Sequence, residues 1–209
     1  MTAIWKFRFL AFCSAVLIGA ISFANLAAEF LRAHPLPFPS GNSISLTEEQ
    51  ISTAHLAATV APFRSDLAAD YASAIASQAL KSAADAVRAA LRIGPHDSRM
   101  WLVLALAQAS NNATDPLIAE SFKMSYLTGP NEAAIIPIRL NAVTANNALS
   151  DSDLGDLARS DVRALLTQLP EQRQTLVSDY AKASETGKKF LELAVSTIDP
   201  EFADKLRRR

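Results

Sequence analysis

The chain has 209 residues, half of them apolar, a formal net charge of −1 and one cysteine. That length suits one ordinary domain plus an appendage. The near-neutral charge supplies no global basic field for nucleic acid, and a lone Cys13 excludes an intramolecular disulfide. Residues 1–8, MTAIWKFR, carry two cations and no acid, and residues 9–28 then run without a charge. Twenty helical residues span about 30 Å, the hydrocarbon thickness of a bilayer. With Lys6 and Arg8 on one flank, the positive-inside rule keeps residues 1–8 in the cytoplasm and exports the rest. The alternative is a cleaved signal peptide, because Ser22-Phe23-Ala24 offers small residues at signal-peptidase spacing. Apolar character continuing to Ala28 favours the retained anchor over both that reading and a buried core helix. Cys13 follows Phe12 and precedes most of the apolar run, so it reads as a small apolar side chain rather than a lipidation site.

Residues 29–45 read as a linker. Within them HPLPFPSGNS, residues 34–43, has proline at alternate positions, which favours extended polyproline II and forbids a helix. It is expected to act as a spacer between anchor and folded part; a docking peptide for a proline-binding groove is the functional alternative. Residues 46–209 form the folded part, and the abundance of alanine there leans all-α. Thr47 with Gln50 makes a capping-box pattern. Residues 65–93 hold two helices with a break near 78–82. Asp97 or Ser98 caps the next helix, and Asp115-Pro116 is a cap followed by proline in the first turn. Ser150 opens a helix with acids in its first turn, and Leu169-Pro170-Glu171 and Asp199-Pro200-Glu201 mark two more starts. No stretch shows sustained strand alternation.

IGPHDSRMW at 93–101 has an echo in TGPNEAAII at 128–136, an offset of 35 residues. With Pro95 as a closing proline, Leu91, Ala90, Val87 and Ala83 fall behind it, while Trp101, Leu104 and Ala105 fall ahead. Phe122, Ser125 and Tyr126 then precede Pro130. In these residues the chain resembles the tetratricopeptide repeat, in which two antiparallel helices of about 34 residues form each unit. Residues 98–131 match well and 64–97 in their second half only. The unit after Pro130 is degenerate: Ile136 replaces the aromatic, Arg139 replaces leucine, and Pro137 sits in the first turn. The resemblance implies an all-α fold of stacked antiparallel helix pairs, each too short to bury its apolar face alone. Glycine before each proline is expected to cap the second helix. After Ser150 the chain either continues as irregular pairs or folds back as a capping bundle.

Chemistry is sparse. His34, His55 and His96 lie far apart with no second ligand at metal spacing. No nucleophile elbow or glycine-rich phosphate loop occurs, and acid pairs such as Glu48-Glu49 sit at helix starts, where capping explains them. No catalytic, cofactor-binding or metal residue is assigned, and no cofactor is expected. Lys123, Met124, Tyr126, Arg139 and Asn141 are dense in a stretch that departs from the repeat pattern. By analogy with the inner surface of tetratricopeptide arrays, Arg99, Leu102, Leu106, Pro137 and Asn141 line a partner-binding groove. The basic end, DKLRRR, suits the negative end of a helix dipole or an anionic surface. The chain thus resembles bacterial single-pass envelope proteins with an exported tetratricopeptide-like domain. That resemblance implies an inner-membrane protein with a periplasmic domain, or a secreted or periplasmic one after signal cleavage. The implied function is a non-enzymatic adaptor or scaffold for a protein partner, accessory to secretion or cell-surface polysaccharide machinery; the alternative is a structural subunit of a membrane complex. No nucleic-acid partner is expected.

Overall fold

Thr47 and Gln50 form the capping box that their spacing predicts. The Thr47 hydroxyl accepts from the Gln50 N–H at 3.2 Å, and the Gln50 side chain accepts from the Thr47 N–H at 2.9 Å. They open the second of eleven α-helices in a computed structural model that describes residues 2–32 and 46–207. Among the described residues there is no strand. In chain order the helices are α1 (Thr2–Leu31), α2 (Glu48–Val60), α3 (Ser65–Gln78), α4 (Ala84–Ile93), α5 (Ser98–Asn111) and α6 (Leu117–Thr128). They continue with α7 (Ile136–Ala145), α8 (Ser152–Thr167), α9 (Thr175–Lys182), α10 (Glu185–Ile198) and α11 (Pro200–Arg207).

Helix starts follow the polar caps. Asp97 accepts from the Arg99 and Met100 N–H groups at 3.0 and 3.1 Å, and Asp115 from Leu117 at 2.9 Å. The break expected near 78–82 is a 3-10 turn at Leu80–Ser82. The cap of α8 is Asp151 rather than Ser150; its carboxylate accepts from Leu154 N–H at 3.0 Å. Leu169-Pro170-Glu171 does not start an α-helix. Pro170–Gln172 is a 3-10 turn, and α9 waits until Thr175. Arg173, in between, pairs with Asp199 and lies 4.1 Å from the Phe202 ring centroid. That contact with the start of α11 holds the chain in a tight turn.

Gly94 and Gly129 stand at the C-cap positions of α4 and α6, but with φ of −125° and −150°. The C-cap glycines expected before each proline are therefore present, but without the left-handed backbone that would by itself require glycine. A Cβ on Gly94 would lie 2.7 Å from Ser65 Cβ, and one on Gly129 would lie 2.5 Å from Ser98 Cβ. Ser65 and Ser98 are the first residues of α3 and α5. Each glycine thus lets the end of one helix pass the start of the helix before it without clashing.

Four apolar cores follow one another along the chain. The first joins Ala28 of α1 to Ala57, Ala61 and Leu67. The second fills α3, α4 and the start of α5 with Ala72, Ala83, Val87, Ala90 and Val103. The third joins α5 and α6 to α7 and α8 through Leu102, Phe122, Tyr126, Val143 and Leu154. The fourth gathers α7 to α11 around Leu140, Leu165, Leu176, Leu191 and Leu206. Up to α6 each helix packs on its chain neighbour, while α7, α8 and α10 pack mutually and α9 and α11 close over them. Of the two expectations for the C-terminal part, the fold-back bundle is the one observed.

The apolar helix is longer than residues 9–28. Trp5–Leu31 is long and apolar enough to cross a membrane, and a signal sequence passes the same test. Phe9, Leu10, Phe12, Leu17, Ile18 and Ile21 are all more than half exposed, whereas Ala28 is fully buried against α2 and α3. Residues 29–31, expected in the linker, belong to α1. The Pro-rich stretch 34–43, and His34 in it, lie outside the described residues. Packing between α1 and α2 nevertheless brings the folded part directly against the end of the apolar helix.

Candidate partner-binding surface

The five residues expected to line a groove do not converge on one. α5 is buried nearly all round, through Met100, Leu102, Val103, Leu104, Ala105, Ala107 and Gln108. A helix apolar on every side has no free face, so Leu102 is a packing residue with no exposure. Leu106 is half-buried against the same core. Arg99 is exposed at the edge and pairs with Glu132, which also accepts from the Ser98 hydroxyl. Pro137 is half-buried in the first turn of α7. Asn141 faces α9, where its side chain donates to Asp179 at 2.7 Å. The C-terminal bundle therefore covers α7 at that position.

Of Lys123, Met124, Tyr126, Arg139 and Asn141, two are fully buried. Arg139 and Tyr126 are the two largest fully buried residues. The Arg139 Nε donates to Asp161 at 3.0 Å and Nη2 to the other carboxylate oxygen at 2.8 Å. Nη1 donates to the carbonyls of Ser125 and Gly129, both at 3.0 Å, and Nη2 also reaches Pro130 O at 3.3 Å. All five N–H donors of the guanidinium are thus used. Its carbon lies 3.8 Å from the Tyr126 ring centroid. Burial pushes the Asp161 carboxyl up, and the guanidinium opposes that push. Burial and the Asp161 charge raise the Tyr126 phenol well above its ordinary value. What appeared as a departure from the repeat pattern at Arg139 is a bolt that ties the end of α6 and the Gly129-Pro130 turn to α8. Its partner lies 22 residues on, so no local signal shows it.

Lys123 is half-buried and bridges Glu120 at 2.8 Å and Asp151 at 2.9 Å. Those contacts raise its pKa and hold α6 against the cap of α8. His55 packs at a tilt against Tyr71 with ring centroids 4.8 Å apart, and His96 is exposed in the turn before α5. Among the described residues no group of three or more His, Cys, Asp or Glu side chains is placed to hold a metal. The concavities are open. One of about 540 Å³ lies beside α9 between Val177, Tyr180 and Lys188. Another of about 420 Å³ lies between Asp115-Pro116 and residues 146–151. Neither takes in the Arg139–Asp161 pair.

Asp179 is 5% exposed, and one of its carboxylate oxygens has no hydrogen-bond partner. Burial pushes its carboxyl up to about 6, with the Asn141 hydrogen bond and Lys182 pulling the other way. The folded chain keeps this proton to about pH 6, whereas an unfolded aspartate releases it near about 4. Between these values the folded state binds more protons, so this group's contribution to stability falls as pH rises from about 4 to about 6 and stays lost above. Asp179→Asn is predicted to flatten that part of the profile and to raise the urea midpoint at neutral pH. Unfolding curves of the two proteins from pH 4 to 8 measure the difference. Comparison of the chain with protein-family models, with curated proteins and with solved structures returned no match.

Proposed function

We propose that the chain is a non-enzymatic binding module held at a bacterial inner membrane by α1, with its helical domain in the periplasm. The observation that carries this reading is the division of α1. Its first two-thirds expose a continuous apolar surface, while its last turns are built into the folded domain. The paired glycine–serine contacts at Gly94–Ser65 and Gly129–Ser98 support equivalent hairpins in α3–α4 and α5–α6, in keeping with a short, degenerate tetratricopeptide-like array. The domain would serve as an adaptor or scaffold for a partner protein, with Arg99 and Leu106 at the accessible edge of α5.

A structural subunit of a membrane complex, with no separate ligand groove, is the second reading. The burial of Leu102 and the covering of Asn141 by α9 favour it. Fractionation of cells expressing the full chain tests the anchor: carbonate-resistant membrane association with an uncleaved N-terminus is expected. A soluble product starting after Ala24 would overturn it. Affinity purification from native membranes with wild type and Arg99→Glu then separates the two readings. A partner lost with Arg99→Glu supports the adaptor, and partners retained unchanged favour the subunit.

A further inference from the structure

Contacts between α1 and the domain fix which end of the first hairpin faces a membrane. Glu29 of α1 pairs with Arg64 at 2.5 Å, and three residues later Arg32 pairs with Asp66 at 2.9 Å and Asp70 at 2.8 Å. Residue numbers rise together on the two sides, so the end of α1 meets the start of α3 pointing the same way, while along its length α1 packs on α2, which runs the opposite way to α3. The turn joining α2 to α3, residues 61–64, therefore points back toward the exposed apolar length of α1. In that turn Ala61 is buried beside Ala28, and Phe63 is 92% exposed, more than any other large apolar residue among the described ones. Pro62 beside it is also exposed.

If residues 9–28 fill about 30 Å of hydrocarbon, Glu29 stands at the first polar layer, and so does its partner Arg64. Phe63 precedes Arg64 by one residue on the membrane side of that pair. Phe30, 83% exposed on the adjoining turn of α1, continues the same belt. An isolated exposed Phe needs no explanation; one at the level where an apolar helix emerges, on a turn aimed at the bilayer, has a ready solvent in the lipid boundary.

We propose that the Pro62-Phe63 turn is a second membrane contact, which seats Phe63 in the boundary between headgroups and acyl chains beside α1. This rests on the reading of α1 as a retained anchor. The occupant is lipid rather than a protein groove, because the turn lies beside the end of the exposed apolar length of α1 and the charges nearest it, Glu29, Arg32, Arg64, Asp66 and Asp70, are tied to one another in ion pairs. Two contacts at one level hold the domain against the membrane face and set its orientation.

Spin-label accessibility of the full chain in lipid nanodiscs tests this. Phe63→Cys, Leu17→Cys and Leu127→Cys are each made in a Cys13→Ser background and labelled. Leu127, 65% exposed on α6, serves as the aqueous reference. The ratio of oxygen to aqueous nickel-chelate accessibility at position 63 is expected to exceed that at 127 several-fold and to approach that at 17. A lipid-like value at 17 with a water-like value at 63 overturns the proposal and leaves the anchor standing. A water-like value at 17 overturns the anchor, and the proposal with it.

Discussion

Arg139→Leu is expected to cost about 3–5 kcal/mol of folding stability, the range for breaking a buried ion pair by removing one partner. The loss has two sources. Asp161 is left as a fully buried carboxylate without its counter-charge, and the carbonyls of Gly129 and Pro130 lose the guanidinium donor, while that of Ser125 keeps only the Gly129 N–H. Asp161→Leu alone should cost a similar amount by stranding the guanidinium. Arg139→Leu combined with Asp161→Leu should recover part of the loss, because no charge then remains buried. Urea unfolding of the full chain in mild detergent, followed by Trp101 fluorescence in a Trp5→Phe background, gives the three values. A double variant as unstable as the sum of the singles would show that the pair does not act as a unit.

Gly187→Ala should lose about 3 kcal/mol, at the upper end of overpacking costs. Gly187 lies in the first turn of α10, and a Cβ there would overlap the Thr144 carbonyl oxygen at the end of α7. That oxygen also accepts from the Ser184 N–H and hydroxyl, both at 3.0 Å, so the methyl would push the start of α10 off its own anchoring point. Gly155 provides the opposite case in the same bundle. It lies inside α8, and an added Cβ meets nothing within 4 Å. Gly155→Ala should therefore stabilise by about 0.5–1 kcal/mol through helix propensity. Thermal unfolding of both variants beside the wild type checks the sign of each.

Helix boundaries were legible wherever one side chain settles them. Thr47, Asp97, Asp115 and Asp199 each bond to N–H groups within three residues, so the pattern is complete in the local sequence. Pro95 and Pro130 likewise mark the ends of α4 and α6. The same reading missed the start of α9, where Arg173 answers to Asp199, 26 residues away. It passed over the Ser184 cap of α10, although Ser184 followed by Glu185 is a local signal that would have found it. The groove was the least legible feature. Assigning Leu102 and Asn141 to an open inner face assumes that nothing covers α5 and α7. Whether the last helices continue outward or return over α7 depends on long-range contacts such as Asn141–Asp179, which leave no periodic trace. Arg139 misled for a related reason: a charged residue in an apolar pattern looks like a surface position until its distant counter-ion is seen.

The docked end of α1 has a mechanical consequence for a chain anchored as proposed. Ala28 is sealed into the first core, and Glu29 and Arg32 are tied to the base of α3, so one unbroken helix, Thr2–Leu31, runs from the exposed apolar length into the packed domain. Hydrophobic mismatch makes such a rod lean when the surrounding lipid thins. If α1 spans a bilayer as proposed, the packed domain would lean with it, so that bilayer thickness would be converted into the angle at which the domain meets its surroundings.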